Sequence, residues 1–196
     1  MSECCLESGV AKTRFMVATT HLFWDPNYSQ IKVTQSMYLL KAIQILRARH
    51  TPTLPVFITM DSNTQPYTYG YNYFVHWNRF VPLRSAYAHY YCNEEPLFTN
   101  YTYDFIGCLD YIFFNGGEEH RFEMTGVMEL PTEKMLMGVA SLPSAKYPSD
   151  HLPIAMEGVI HSQKREKEEK EEPFAKARAL MTQPFFQYVY CENESN

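Results

Sequence analysis

Two short apolar runs separated by an amphipathic stretch constrain the fold of this chain most strongly. Residues 15–20 and 54–60 are runs of strand length that contain several β-branched residues. Between them, apolar residues recur at spacings of three and four, as on one face of a helix. These residues are Val33, Met37, Leu40, Ile43 and Leu46. Strand, helix and strand in this order predict a layered α/β fold, with a helix over residues 29–49 covering one face of a sheet.

The later part of the chain predicts further strands. An apolar run at residues 110–114 precedes a glycine pair at 116–117, and a second run covers residues 122–128. Residues 153–160 are interpreted as a closing strand. Short strands bounded by turn residues favour sheet structure here rather than helix.

Composition fits one packed domain. The chain has 196 residues, of which 45% are hydrophobic, and carries a formal net charge of −5. Such acidity argues against broad binding to duplex nucleic acid, which needs a basic surface, more than against a single-strand site. Five cysteines without metal-binding spacing favour a reducing compartment. Since no apolar run reaches about 18 residues, we expect no membrane partner and a cytoplasmic protein, with the nucleus as a second location.

Charge patterning divides the chain into three parts. We expect an N-terminal lead at residues 1–13, a folded domain at 14–160 and a charged extension at 161–196. The extension opens with the mixed-sign stretch KREKEEKEE, which has almost nothing to bury and is interpreted as a solvated linker. Its last part contains apolar residues that dock on the domain or on a partner, and the sequence does not decide between these.

Polar residues stand at or just past the ends of the apolar runs. They are His21, Asp61 and Asn63, then Asp110, and finally Asp150 and His151. Carboxylate, amide and imidazole groups delivered to one rim of a sheet are what phosphodiester hydrolysis requires, because the site must hold a divalent cation, position the phosphoryl group and activate a water. Individually these residue types are common in loops, and DSNTQP also fits a simple Asx turn.

Long mixed patterns around these residues carry a resemblance. The segments VATTHLFWDPNYSQIKVTQSMYLLKAI, PVFITMDSN, TNYTYDFIGCLDYIFF and YPSDHLPI resemble the endonuclease/exonuclease/phosphatase superfamily. Within it they are similar to the carbon-catabolite-repressor-type poly(A) deadenylases, with nocturnin and the Angel proteins as near relatives. The resemblance covers about residues 14–160. It implies the C-terminal portion of a two-sheet α/β sandwich of the DNase I type, in which the N-terminal half, with a magnesium-binding Glu, is missing.

The resemblance implies roles for the acidic residues. Asp61 would orient the attacking water or bind Mg²⁺, and Asn63 would hold the scissile phosphate. Asp150 would be a second metal ligand or would reinforce the network. Two neighbours of Asp61 depart from the family pattern: Met60 stands where a Gly is usual and Ser62 where an aromatic or Leu is usual. Because Gly tolerates positive φ and Met does not, the backbone at residue 60 is in question.

The imidazoles also receive roles from the resemblance. His151 would stabilise the transition state while Asp110 orients its ring. His21 matches the first His of the HxHWDP motif, which contacts the phosphate, whereas Phe23 replaces the second His.

A nucleobase clamp is implied as well. Phe105 occupies the position at which the similar deadenylases stack adenine, Pro26 would press the opposite face, and Asn100 is a candidate contact to the base edge. Stacking contributes about 1–3 kcal/mol per base.

Three functions remain open. The first is a Mg²⁺-dependent 3′–5′ exoribonuclease that acts on single-stranded poly(A) in mRNA decay, with Ccr–Not subunits as partners; as this chain alone it would be inactive or weak. The second is a non-catalytic fragment that binds nucleic acid or Ccr–Not partners. The third is a nucleotide phosphatase or phosphodiesterase of the same superfamily.

Overall fold

The computed structural model describes residues 2–8, 11–49, 54–117, 122–136 and 138–161. In chain order, its strands are β1 (Ser2–Ser8), β2 (Ala11–His21), β3 (Val56–Asp61), β4 (Arg84–Ser85), β5 (Asn100–Tyr101), β6 (Ile106–Gly107), β7 (Asp110–Asn115), β8 (Phe122–Val127) and β9 (Met156–Ile160). The α-helices are α1 (Ser29–Arg49), α2 (Tyr69–Asn72) and α3 (Ala86–Tyr90), with a π-helical turn at Tyr73–Trp77 and a 3₁₀ turn at Glu133–Leu136.

A five-stranded sheet with the order β1-β2-β3-β7-β4 forms the centre of the fold. β2 and β3 run parallel, with α1 as the crossover between them, while β7 is antiparallel to β3. Two small antiparallel pairs, β5–β6 and β8–β9, stand apart from this sheet. The predicted α/β class is therefore confirmed.

The pleat of the sheet separates two hydrophobic clusters. Ala18, Ile58 and Phe113 are cross-strand neighbours, are fully buried, and pack with Leu40 and Ile43 of α1. The alternate positions of the same strands point to the opposite face. There, residues of β3, β7 and β8 form the second cluster, which includes Phe57, Ile112, Phe114 and Phe122.

Helix α1 has the predicted bounds, but the predicted buried stripe is wrong in its first turns. Leu40 and Ile43 are fully buried, whereas Lys32 and Ser36 take the inward positions expected for Val33 and Met37. Both polar groups are satisfied there, since Lys32 Nζ donates to the Asn63 carbonyl at 2.8 Å and Ser36 Oγ donates to the Lys32 carbonyl at 2.8 Å. The start of α1 therefore faces the polar end of the sheet rather than its core.

The predicted later strands are present with shifted ends. β3 begins at Val56 rather than at residue 54, and β9 begins at Met156 rather than at residue 153. Pro153 lacks a backbone N–H and so cannot donate to a strand ladder. The short elements between residues 69 and 107 were not predicted.

The face of the sheet opposite α1 is incompletely covered along β2. Thr19 is exposed there, and Phe15 and Val17 are only partly buried. This partial burial is what we expect if the sequence contains only part of the layer that covers this face of the sheet. From residue 162 the predicted charged extension lies outside the described residues, so the three-part division stays a prediction. In the part of the chain that is described, no helix combines the length and apolar character needed to cross a bilayer.

Candidate active site

Strand register brings three predicted residues into one row. His21 at the end of β2 pairs with Asp61 at the end of β3, and Asp61 pairs with Asp110 at the start of β7. Directly opposed residues project to the same face of a sheet. The parity of the strands places this row on the face opposite α1, at the end of the sheet beyond the second hydrophobic cluster. His21 Nε2 lies 3.2 Å from Asp61 Oδ2.

His151 completes the row from outside the sheet. Its Nδ1 lies 2.8 Å from Asp110 Oδ2, and its Nε2 lies 3.9 Å from Asp61 Oδ2. The segment that carries it is held by an antiparallel bridge between His151 and Asn100 and by a hydrogen bond from Leu152 N to the Thr99 carbonyl at 2.7 Å. Asp110 and His151, which are 41 positions apart in the chain, are thus brought together by the docking of the His151 segment on β5.

Thr99, to which the sequence assigned no role, fixes the Asp110 carboxylate. Its fully buried hydroxyl donates to Asp110 Oδ2 at 2.6 Å and accepts from the backbone N–H groups of Leu109 and Asp110 at 2.9 and 3.0 Å. The same carboxylate oxygen contacts His151. The residue stands in the TNYTYDF motif, but a threonine there gives no chemical signal until its contact with a residue 11 positions away is known.

Asn63 lies on a sharp turn directly after β3. Its φ is +48°, in the left-handed region that Asn tolerates better than most residues. Its backbone N–H donates to Asp61 Oδ1 at 2.8 Å, so the Asx turn weighed in the sequence is present. The side-chain amide nevertheless reaches the site, with Nδ2 3.0 Å from the Leu22 carbonyl and 2.9 Å from His21 Nε2.

The concern about Met60 does not apply. Met60 is a buried residue inside β3 that pairs with Tyr111, so its backbone is extended and needs no glycine. The left-handed turn falls three residues later, at Asn63. Ser62 is also accommodated, since its N–H and its hydroxyl both donate to the Leu109 carbonyl, at 2.8 and 3.1 Å.

The electrostatics of the site follow from partial burial of opposite charges. Burial raises the pKa of Asp61, and the nearby Asp110 carboxylate adds to that rise, while the Asn63 N–H and the two imidazoles oppose it. For His151, burial lowers the pKa, but the hydrogen bond and negative charge of Asp110, together with Asp61, outweigh it, so the net pKa is raised. The site therefore favours a cation beside two carboxylates.

A cation fits the ligand groups present. One ligand atom from each of Asp61, Asp110 and His151 lies within 4.8 Å of the others. Two carboxylates suit Mg²⁺, which prefers oxygen ligands and keeps several waters, whereas the imidazole is a poorer ligand for it. Asp150, the predicted second ligand, does not belong to this group of three; its Oδ2 accepts from Asn100 Nδ2 at 3.5 Å.

The predicted base-clamp residues occupy different environments. The half-buried Phe105 ring lies against Gly107, where a Cβ would come within 2.6 Å of Phe105 Cζ, so a larger residue there would displace the ring. Pro26 is exposed on the loop after β2. Asn100 is almost fully buried and its amide faces Asp150, which is a weaker fit to a base-edge contact.

Sequence relatives match about seven tenths of this chain. No family model matches the chain. It is 33% identical over 159 residues to "Carbon catabolite repressor protein 4 homolog 4" of Arabidopsis thaliana, covering 72% of this chain and 37% of the relative. It is 31% identical over 163 residues to "2′,5′-phosphodiesterase 12" of Bos taurus (72% and 25%). It is 29% identical over 156 residues to "Probable CCR4-Not complex 3′-5′-exoribonuclease subunit Ccr4" of Encephalitozoon cuniculi (70% and 30%). The chain thus spans only about a quarter to a third of the length of these relatives.

Solved structures show the same fold. The human Nocturnin catalytic domain with bound sulfate matches with a TM-score of 0.61 at 23% identity, covering 80% of this chain and 51% of that one. ANGEL2, titled a 2′,3′-cyclic phosphatase and bound to adenosine-2′,3′-vanadate, matches with a TM-score of 0.63 at 20% identity, covering 80% and 59%. An endonuclease/exonuclease/phosphatase family protein from Bacteroides thetaiotaomicron matches at 0.51 and 17%, covering 79% and 52%. The sequence relatives and the shared fold together support a domain of the endonuclease/exonuclease/phosphatase family, of the CCR4 type, over part of this chain.

Proposed function

We propose that this chain is the C-terminal portion of the catalytic domain of a Mg²⁺-dependent 3′–5′ exoribonuclease of the poly(A) deadenylase type, acting in mRNA decay. The observation that carries the proposal is the cluster of Asp61, Asp110 and His151, with His21 and Asn63 beside it. Similarity to proteins named CCR4 homolog and exoribonuclease subunit supports the choice of reaction. By the same likeness, single-stranded poly(A) is the proposed substrate and Ccr–Not subunits are the proposed partners.

Each of these residues has a proposed role in an in-line attack of water on the phosphate. Asp61, whose pKa is raised by burial, is the proposed acceptor of a proton from the water. His21 and Asn63 are the proposed contacts to the phosphate, and they are neighbours, with Asn63 Nδ2 2.9 Å from His21 Nε2. His151, whose pKa the neighbouring Asp110 raises, is the proposed partner of the negative charge that develops on the phosphoryl oxygens.

A bound Mg²⁺ would supply charge neutralisation at a non-bridging phosphate oxygen. Asp61 and Asp110 are the carboxylates close enough to share it, and Asp150 remains the proposed additional ligand. We expect little turnover from the 196 residues alone, because one anchoring Glu expected by resemblance comes from a segment that this sequence does not contain. Loss of one preorganised electrostatic group typically lowers a rate by about 10²–10³.

A second candidate has its own support. The likeness to ANGEL2, titled a cyclic phosphatase, and to a protein named 2′,5′-phosphodiesterase 12 favours a phosphodiesterase acting on short or 2′-linked substrates. The remaining alternative is a non-catalytic RNA- or partner-binding role.

The test compares substrates as well as variants. A 5′-labelled 20-residue oligo(A) with a 3′-hydroxyl, a 2′,5′-linked oligo(A) and adenosine 2′,3′-cyclic phosphate are incubated with the chain and Mg²⁺, both with and without the upstream segment of a relative added in trans. Mononucleotide release from the first alone, abolished by Asp61→Ala and His151→Ala, supports the deadenylase. Turnover of either other substrate in its place favours the phosphodiesterase. Binding of oligo(A) without product from the chain, even when the upstream segment of a relative is added in trans, supports the non-catalytic role.

Phe105→Ala tests the base clamp in the same assay. We expect a loss of about one to two orders of magnitude in rate on oligo(A) through lost stacking. Tyr90→Ala is the matched control, since Tyr90 is an exposed aromatic on α3 outside the site. Equal turnover of oligo(A) and oligo(U), or an unaffected Phe105→Ala variant, would remove the clamp from the proposal.

A further inference from the structure

Trp24 presents its indole to solvent on the loop that leaves the site. Its exposed fraction is 68%, and it follows His21 by three residues. One side of the ring is backed by Phe23, with centroids 6.1 Å apart, and Phe23 is in turn met edge-on by Tyr28 at 5.9 Å. The loop that follows His21 thus carries three aromatic side chains joined by two ring contacts.

The backbone of this loop is fixed on both sides of Trp24. Leu22 N donates to the Asp61 carbonyl at 3.0 Å, and Phe23 N donates to Gln35 Oε1 of α1 at 2.9 Å. After Trp24, Asp25 Oδ1 accepts from both the backbone and the side-chain nitrogen of Asn27, at 2.9 and 3.0 Å. The indole is therefore mounted on a tethered turn, and a ligand that stacks on it would not have to order the backbone first.

The other tryptophan provides a comparison within the same chain. Trp77 is 48% exposed, but it lies 4.7 Å from the tilted ring of Tyr69, a close aromatic partner. Among the described residues, the aromatic partner of Trp24 is the more distant Phe23 ring. A single exposed aromatic is ordinary on a protein surface. What distinguishes Trp24 is the tethered turn and the unbroken backbone connection to a proposed phosphate-binding histidine.

The charge of the chain also favours contacts to bases. Neutralisation of phosphates dominates nucleic-acid binding in basic proteins, but this chain has a formal net charge of −5. Stacking on an aromatic face does not depend on net charge, because every base has a π-face. In an acidic chain it therefore supplies a larger share of the binding free energy.

We propose that Trp24 is a stacking platform for a nucleobase of single-stranded nucleic acid, distinct from the base assigned to Phe105. The inference rests on the proposed function, because it takes the strand to pass His21 and Asp61. It assigns this loop a ligand of defined chemistry: an unpaired purine or pyrimidine one or more nucleotides from the scissile phosphate.

Trp24 is its own spectroscopic probe. The chain has two tryptophans, so Trp77→Phe leaves Trp24 as the single indole. This variant is titrated with 20-residue oligo(A) in EDTA, so that no turnover occurs, while indole emission is recorded. Binding is measured independently by the anisotropy of 5′-labelled oligo(A). We expect quenched emission that saturates together with the anisotropy, and protection of the indole from acrylamide.

Substitutions give the second readout. Trp24→Leu should weaken oligo(A) binding about 5- to 150-fold, the range that corresponds to one stacked base, and Trp24→Tyr should restore most of it. Trp77→Leu is the matched control and should bind as the unaltered chain does. Unchanged thermal melting of Trp24→Leu verifies that it folds, as expected for a side chain that is mostly exposed.

The outcomes separate the inference from the proposed function. Oligo(A) that binds by anisotropy without changing Trp24 emission, and equally well to Trp24→Leu, overturns the stacking platform and leaves the nuclease proposal intact. Oligo(A) that fails to bind at all, with the anisotropy unchanged at every concentration, overturns both.

Discussion

His151 Nδ1 lies 2.8 Å from Asp110 Oδ2, so the hydrogen bond and the negative charge of Asp110 both act on the titration of His151. Burial alone would lower the pKa of His151, but Asp110 raises it by hydrogen bonding and by its charge. Asp110→Asn should therefore shift the His151 titration to lower pH. The measurement is a proton NMR titration of the histidine ring in metal-free protein.

The same contact predicts how stability depends on pH. Because the folded-state pKa of His151 is raised above its usual 6.5, its stabilising contribution is present below that pH and is lost as the pH rises through the folded-state value. The fall in melting temperature over this window should be smaller in Asp110→Asn. Glu123→Gln, which removes the partner of exposed His161, is the control. An unchanged His151 titration in Asp110→Asn would contradict the assignment.

Thr99→Val should destabilise the chain although it conserves shape. The substitution leaves the N–H groups of Leu109 and Asp110 without their acceptor. Each unsatisfied donor costs about 1–3 kcal/mol, so the two together cost about 2–6 kcal/mol and the melting temperature should fall by about 4–24 °C. Thr99→Ser should retain most of the stability, and Thr125→Val, at an exposed position of β8, should change little. Differential scanning calorimetry is sufficient to compare the four proteins.

Lys32→Met tests whether the buried ammonium stabilises the turn at Asn63. Removing the donor leaves the Asn63 carbonyl unpaired, at a cost of about 1–3 kcal/mol, so we expect the melting temperature to fall by about 3–8 °C. Exposed Lys134 supplies the control substitution, Lys134→Met. Burial also lowers the pKa of Lys32, which reflects the cost of holding that charge away from water. A rise in melting temperature would show that this cost exceeds the value of the hydrogen bond.

Glu95→Gln should stabilise the chain at neutral pH. Burial raises the pKa of Glu95, and the hydrogen bond from the Tyr71 hydroxyl, at 2.7 Å, offsets only part of that rise. The folded state therefore binds the proton more tightly than the unfolded state, and stability falls as the pH rises from about 4.5 through the folded-state pKa. Gln keeps an acceptor for Tyr71 without the charge.

The expected gain for Glu95→Gln is about 2–4 °C in melting temperature at pH 7.5, with little change at pH 4. Glu94→Gln is an informative neighbour, because Glu94 is exposed and should show neither effect. A gain of the same size at both pH values would mean that charge burial is not its origin.

The predicted strand–helix–strand core was confirmed because periodicity and run length report burial directly. α1 was predicted with its observed bounds, and β2, β3 and β7 each lie within a few residues of the predicted runs. The error at the start of α1 has a physical reason: Lys32 and Ser36 are buried by hydrogen bonds, which a hydrophobic pattern does not record.

The site was only partly predictable for a related reason. His21, Asp61 and Asp110 end or begin apolar runs, so their place at the sheet edge follows from the pattern. The contact between Asp110 and His151 depends on how the segment carrying His151 docks on β5, which local sequence does not encode. Thr99 illustrates the same limit, since its role is defined by partners that become neighbours only after folding.

The direct cross-strand pairing of His21, Asp61 and Asp110 has an evolutionary consequence. Their spacing is set by the hydrogen-bonded ladder, so it does not depend on how many residues join the strands at the far ends. The connections from α1 to β3 and from β7 to β8 join their strands at the end away from the row, so a change in their length should leave the dimensions of the row unchanged. A single-residue insertion inside β3 would instead turn Asp61 to the other face and separate it from both neighbours. Among proteins that descend from a common ancestor, insertions and deletions should therefore be found in the connections at the end of the sheet away from the row. They should be rare within β2, β3 and β7.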